Sequence, residues 1–296
     1  MKSVLKIFVL FLFPVFATAQ DEKNYEDSLL SALKNAANDT ISMDINRKLG
    51  FYHQDSDRDT ALVYHQVQLA LAEKLKLKLW EADACQQIAY CYSNKFRLSE
   101  AYENYMKALR IAEDPASAAN GWGYSNFSYS KNPDEARQSI MGIIHFELAG
   151  FYSRTRDNKN KAFSHLSTAI EIGERLKNPK ILSLASREMG VYYLNLNKTD
   201  SAFIYFQKAL LYYKNSPYQK NLGNVYLQLG RYYIIKGNYD SAKYHLHNAI
   251  YENAANAATL LGMGVAQRSL GAAFIETSQL DSALVYTLLG QKIAYS

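Results

Sequence analysis

The chain has 296 residues, 48% of them hydrophobic and 21% charged, with five prolines and two cysteines. That composition excludes a disordered chain and a disulfide-stapled scaffold. The formal net charge is +5, and setting Lys2 and Lys6 aside leaves 31 basic side chains against 28 acidic ones, spread along the sequence, so no nucleic-acid surface is implied.

Lys2 and Lys6 precede an apolar run from Ile7 to Phe16, and Ala17-Thr18-Ala19 follows with the small-x-small pattern of a signal peptidase site. Residues 1–19 are read as a signal peptide cleaved before Gln20, and the mature chain as exported to the periplasm. The run is too short to span a hydrocarbon core of about 30 Å, and no later stretch approaches about 20 apolar residues. No cysteine follows the cleavage site to carry a bacterial lipoprotein anchor before the helices begin. Residues 20–41 predict a starting helix.

From residue 42 an alanine recurs at Ala61, Ala101, Ala162, Ala202, Ala242 and Ala283, with spacings of 40, 61, 40, 40 and 41. About twelve residues before each lies a pair ending in a small side chain: Leu49-Gly50, Ile88-Ala89, Leu148-Ala149, Met189-Gly190, Leu229-Gly230 and Leu270-Gly271. Each unit predicts two helices. The first carries an aromatic three residues past the small one, at Tyr92, Tyr152, Tyr193, Tyr233 and Phe274. The second carries a large residue four past its alanine, at Tyr105, Leu166, Phe206 and Leu246, then returns to small at Ala108, Ala169, Ala209, Ala249 and Gly290. Spacings of three, four and seven share one helix face. Antiparallel helices approach to about 8–10 Å only where small residues meet, and their large neighbours fill the grooves beside them. Asp200, Asp240 and Asp281 are expected to cap second helices, and Asn178-Pro179 and Ser216-Pro217 to open first helices.

Within residues 42–114, which hold the first two units, Cys85 and Cys91 fall six apart on one helix and on different faces, so they are expected to be packed free thiols. The next interval exceeds the others by 21 residues (61 against 40), and the surplus falls in 115–132. This stretch is rich in glycine and aromatics, with Trp122, Tyr124, Phe127 and Tyr129 as loop candidates for a ligand contact. The alternative is that they pack against the edge of the helix array. Asn132-Pro133-Asp134-Glu135 then reads as cap, first helical residue and capping-box acid, opening residues 133–296.

The six histidines at 53, 65, 145, 165, 245 and 247 show no ligand spacing: His145-x-Glu147 lacks a second histidine four residues on. Gly262-x-Gly264 lacks the third glycine of a phosphate loop, and no glycine-framed serine nucleophile occurs. The tyrosine pairs at 192-193, 212-213 and 232-233 follow half the repeat and read as packing positions, not as a stacking ladder. Neither a cofactor nor a metal is expected, and no catalytic set.

Small pair, aromatic at +3, alanine at +12, large residue at +16 and alanine at +19 resembles the tetratricopeptide repeat across 42–296. The fifth unit matches best, Tyr226-x-x-Leu229-Gly230-x-x-Tyr233 followed by Gly237-Asn238-Tyr239 and Ala242-x-x-x-Leu246-x-x-Ala249. The first matches least, with His53, His65 and Gln68 in place of two aromatics and an alanine. The family's usual period is about 34, so a 40-residue unit lengthens each helix by nearly a turn. The resemblance implies an all-α, right-handed α-solenoid of antiparallel helix pairs, about six repeats, with a concave wall made by first-helix residues. Those lie three before the small position, at Arg47, Gln86, Phe146, Arg187, Leu227 and Arg268, and five after it, among them Asn94, Arg154 and Asn195. Arginine and asparagine there could hold a peptide backbone or carboxylates.

The longer unit, the opening from Asp27 to Thr40 and the export signal are similar to the extracytoplasmic sensor part of repeat-containing histidine kinases and related regulators. The implied function is a non-enzymatic solenoid binding a protein or peptide as the sensory part of a two-component type system. A stand-alone periplasmic interaction scaffold is the alternative, and a carbohydrate-binding or enzymatic module using 115–131 a third. The last helix presents Leu284, Tyr286, Leu288, Leu289 and Ile293 without a polar capping helix, which repeat stacks normally need. Either the gene continues into a membrane segment and output domain, or the bare repeat forms a homodimer, or the helix frays.

Overall fold

The structure, a computed structural model, describes residues 24–127, 130–154, 158–214, 221–254 and 260–294. Among them there is no strand. A first helix, α1, spans 24–34, and six helix pairs follow. They are α2 (Asp39–His53) with α3 (Arg58–Leu75), α4 (Lys78–Asn94) with α5 (Leu98–Glu113), and α6 (Pro133–Arg154) with α7 (Lys159–Leu176). Then come α8 (Pro179–Asn195) with α9 (Thr199–Lys214), α10 (Leu222–Ile235) with α11 (Tyr239–Ala254), and α12 (Leu260–Glu276) with α13 (Leu280–Ala294). The fold is an all-α solenoid of helix pairs. It divides into two compact units, residues 24–185 and residues 186 onward, with the boundary inside α8.

Every anchoring alanine from Ala61 to Ala283 is buried. In the first, fourth and fifth pairs the small residue of the first helix sits under the large residue four past the alanine. A Cβ on Gly50 would lie 2.4 Å from His65, on Gly190 2.5 Å from Phe206, and on Gly230 2.5 Å from Leu246. Close approach therefore requires glycine at these points, and burial of each overlying large apolar side chain contributes about 1.5–3 kcal/mol.

A second contact closes the pairs at their turn. The residue three past the small position stacks on the residue three past the alanine: His53 on Tyr64 (5.8 Å), Tyr152 on His165 (5.4 Å), Tyr193 on Tyr205 (5.5 Å), Tyr233 on His245 (5.2 Å) and Phe274 on Tyr286 (5.5 Å). In the remaining pair the partner position is Asn104, and Arg97 covers the Tyr92 ring instead, at 4.6 Å. Five residues before the alanine the backbone turns left-handed at Phe96, Asn197, Gly237 and Ser278, all with φ of 57–70°. The next amide then returns to the carbonyl of the +3 aromatic: Arg97 to Tyr92, Lys198 to Tyr193, Asn238 to Tyr233 and Gln279 to Phe274. These are Schellman-type stops that satisfy the last carbonyls of each first helix.

The caps differ from expectation. Asp200, Asp240 and Asp281 lie inside the first turns of α9, α11 and α13, where their charge complements the helix dipole. In α11 the side-chain cap lies two residues earlier, where Asn238 Oδ1 accepts from Ser241 N, as Asp57 Oδ1 does in α3 from Asp59 N and Thr60 N. Asn178 caps α8 through Lys180 N and Ile181 N, and Asn132 caps α6 through Glu135 N, while Glu135 reaches back to Lys131 N. Ser216-Pro217 lies outside the described residues.

Candidate functional site

The first repeat departs from its pattern for a reason that the structure makes visible. His65 and Gln68 are fully buried and polar. Gln68 Nε2 donates to Asp83 Oδ2 at 2.9 Å, which leaves Gln68 Oε1 to accept from His65 Nδ1 at 3.1 Å. Arg47 reaches the same carboxylate through Nε at 2.7 Å and Nη2 at 3.1 Å. Donors from α2 and α3 thus converge on one acidic side chain of α4. Burial works against ionisation of Asp83, yet the charge and hydrogen bonds of Arg47, aided by Gln68, hold its carboxyl below the usual range. Burial pulls the His65 imidazole down to about 4, so it is neutral at pH 7.

Arg47 is also enclosed by rings: its guanidinium carbon lies 4.8 Å from the Phe51 centroid, 5.3 Å from Phe127 and 5.7 Å from Trp80. Phe127 comes from the insertion, which is fastened to α4. Trp80 Nε1 donates to the Trp122 carbonyl at 2.9 Å, and Phe127 meets Trp80 edge-on at 5.4 Å. Its described residues include two short 3-10 turns, Pro115–Ala118 and Tyr124–Asn126.

Beside this cluster the first-helix wall opens into a shallow recess of about 50 Å³. Arg47 and Phe51 of α2 line it, with Asp83, Gln86 and Gln87 of α4, Ser139, Ile140 and Ile143 of α6, Lys180 and Ile181 of α8, the α8 cap Asn178, and Phe127. Such a volume takes the tip of one side chain. Gln87 Nε2 donates to Gln86 Oε1 at 2.6 Å, which fixes the Gln86 amide with its own Nε2 as a remaining donor. Neither that Nε2 nor Arg47 Nη1 has a partner among the described residues. Arg47 and Lys180 against Asp83 make the lining favour an acceptor-rich or anionic group.

Of the expected wall residues, Arg47 and Gln86 meet at this recess. Asn94 and Arg154 form a second polar point on the wall of residues 24–185: Arg154 donates through Nη1 to Asn94 Oδ1 at 3.1 Å and through Nη2 to Ser93 Oγ at 2.7 Å. Phe146 is half-buried on α6. In the second unit Arg187 pairs with Glu188 at 2.6 Å, Asn195 is exposed, and Arg268 Nη1 donates to the Gly290 carbonyl at 3.2 Å. Leu227 is only 5% exposed and packs with Leu246 and Leu270, so its side chain serves the core and not a ligand. Of the loop candidates, Phe127 is buried, Tyr124 packs against the core, and Trp122 keeps 39% of its surface. Tyr129 lies outside the described residues.

Sequence reasoning missed the Asp83 relay and a second histidine contact, His145 Nδ1 to His165 Nδ1 at 2.8 Å. Cys85 and Cys91 are free and buried, and burial pushes both thiols up to about 11, which keeps them protonated and inert. Among the described residues no group of three or more His, Cys, Asp or Glu could hold a metal, and no helix is long and apolar enough to cross a membrane.

Residues 82–115 match the tetratricopeptide repeat. The protein kinesin light chain-related 3 of Arabidopsis thaliana is 26% identical over 149 residues, which cover 49% of this chain and 23% of that relative. The chain thus spans about a quarter of the length of the curated relative it matches. Among solved structures, BtubC (BKLC) from P. vanneervenii superposes with a TM-score of 0.57 at 15% identity, covering 82% of this chain and 90% of that one. The Rap protein complexed with competence and sporulation factor gives 0.57 at 14% identity, over 97% and 88%. NprR in complex with its cognate peptide NprX gives 0.56 at 12%, over 98% and 78%. At these identities the likeness is one of fold. Residues 82–115 thus match a tetratricopeptide repeat, and the six helix pairs, built on one small-large register, share the fold of solved tetratricopeptide-like solenoids.

Proposed function

We propose that this protein is an exported, non-enzymatic repeat scaffold that binds a protein or peptide segment along the first-helix wall of residues 24–185. The observation that carries this reading is the recess between α2, α4, α6 and α8. There a fixed guanidinium and a fixed amide keep donors free beside an apolar floor of Ile140, Ile143 and Ile181. Extended chains present such a surface with alternating carbonyls and side chains, so one side chain can enter while a carbonyl or carboxylate meets the donors. Rap and NprR share the fold and were solved with bound partners, competence and sporulation factor and the peptide NprX. Export rests on the Lys2 to Ala19 segment. A sensory role in a two-component type system rests on the resemblance of the long repeat and its opening helix.

Panning a random dodecapeptide library on residues 20–296 tests the wall. A shared motif should emerge for the unaltered chain and be lost, by at least about tenfold in affinity, in a variant carrying Ile143→Ser and Lys180→Glu with unchanged helicity. No enrichment, or a motif indifferent to those substitutions, would exclude this wall as the binding surface.

A further inference from the structure

His145 on α6 and His165 on α7 face each other with their Nδ1 atoms 2.8 Å apart. A hydrogen bond at that distance requires one Nδ1 to carry the proton and the other to offer its lone pair. Tyr152 lies flat on His165, with ring centroids at 5.4 Å and an interplanar angle of 8°, so the imidazole has no freedom to swing aside. The pair spans the seam of the third repeat, beside the ring stack that the first, fourth, fifth and sixth repeats also use.

We propose that His145 and His165 form a proton-operated latch between α6 and α7, closed while they share one Nδ1 proton and opened when both Nδ1 atoms are protonated. The first added proton goes to Nε2 of the donor ring. It makes an imidazolium that donates to a neutral imidazole, and the bond survives. The second has only the acceptor's Nδ1 to occupy. It displaces the bond and sets two N–H groups and two positive charges against each other at contact distance.

The surroundings offer no relief for that charge. On α7 the neighbour acting on His165 is Lys161, itself cationic; on α6 it is the Tyr152 ring, whose hydroxyl is engaged with Tyr102 of α5. α4, which also packs on α6, presents no charged group to either ring, and no carboxylate among the described residues acts on them. Burial, and then the neighbouring His165, pulls His145 down to about 4; burial, and then Lys161, lowers His165. Both folded values lie below the unfolded 6.5. The stability these groups contribute is therefore complete above that pH and is lost as pH falls toward about 4.

Two single substitutions each remove one partner of the shared-proton pair and keep the packing. His165→Tyr restores the ring pair seen at Tyr193 and Tyr205, which stack at 5.5 Å. His145→Gln places at this position the residue that the sixth repeat has there, Gln267. The measurement is ¹⁵N imidazole titration of residues 20–296 together with amide protection factors for α6 and α7 between pH 6.5 and 4. Two separated, mutually dependent steps are expected, with protection in these helices falling by about tenfold at the second. In either variant protection should stay within about twofold over the same range. Independent titration of two ordinary imidazoles would overturn the latch, and so would an equal loss of protection in both variants.

Discussion

At the scale of single residues, Asp83 is the side chain on which the first two repeats depend. Three N–H groups from two residues, Arg47 and Gln68, donate to it, and its own side chain is 7% exposed. Asp83→Ala would leave a guanidinium enclosed by Phe51, Trp80 and Phe127 with no counter-charge. Breaking one half of a buried pair costs about 3–5 kcal/mol, and urea unfolding of residues 20–296 should show a loss of that size. Replacing both charges, Arg47→Met with Asp83→Leu, should cost clearly less, because no charge is then stranded. Equal losses for the single and double variants would mean that shape, and not charge, governs this contact.

At the scale of helix pairs, the alternation of small and large side chains sets how closely helices approach. Gly190→Ala would force a methyl to 2.5 Å from Phe206, and overpacking of this kind costs about 1–3 kcal/mol. Gly150→Ala meets nothing within 4 Å, and a helical alanine in place of glycine should stabilise by about 0.5–1 kcal/mol. Opposite shifts in melting temperature are therefore expected from the same chemical change, and a loss at both positions would contradict the packing scheme. This contrast also marks what was legible beforehand. Close packing imposes size at a fixed pitch, so Ala61 to Ala283 stood out in the sequence. The caps were misplaced by two residues because an aspartate serves either the cap or the first turn. The Asp83 relay joins residues 15 and 36 positions apart, and His145 meets His165 across 20. The Asp83 links are departures from the repeat pitch; the fifth repeat brings Tyr226 against His245 at the positions of His145 and His165, but the pitch does not say which side chains meet there.

At the scale of the whole molecule, export is the property with a direct chemical signature. Chain recovered from the periplasmic fraction should begin at Gln20, as intact mass would show, and a mass that includes Met1 to Ala19 would refute cleavage. Reading the gene beyond codon 296 tests the sensory role alongside it: a membrane segment of about 20 apolar residues and an output domain should follow, and a stop codon would leave the stand-alone scaffold. Repeat arrays are commonly treated as interchangeable bricks that can be deleted, duplicated or shuffled at the cost of one interface. The relay from His65 and Gln68 to Asp83 and Arg47 exempts this array at its beginning. Excising α2 and α3 as a module would remove every donor that holds the Asp83 carboxylate, and a consensus brick with alanine at position 68 would restore only the packing. Truncation series and lineage comparisons should therefore treat the first two pairs as a single indivisible unit.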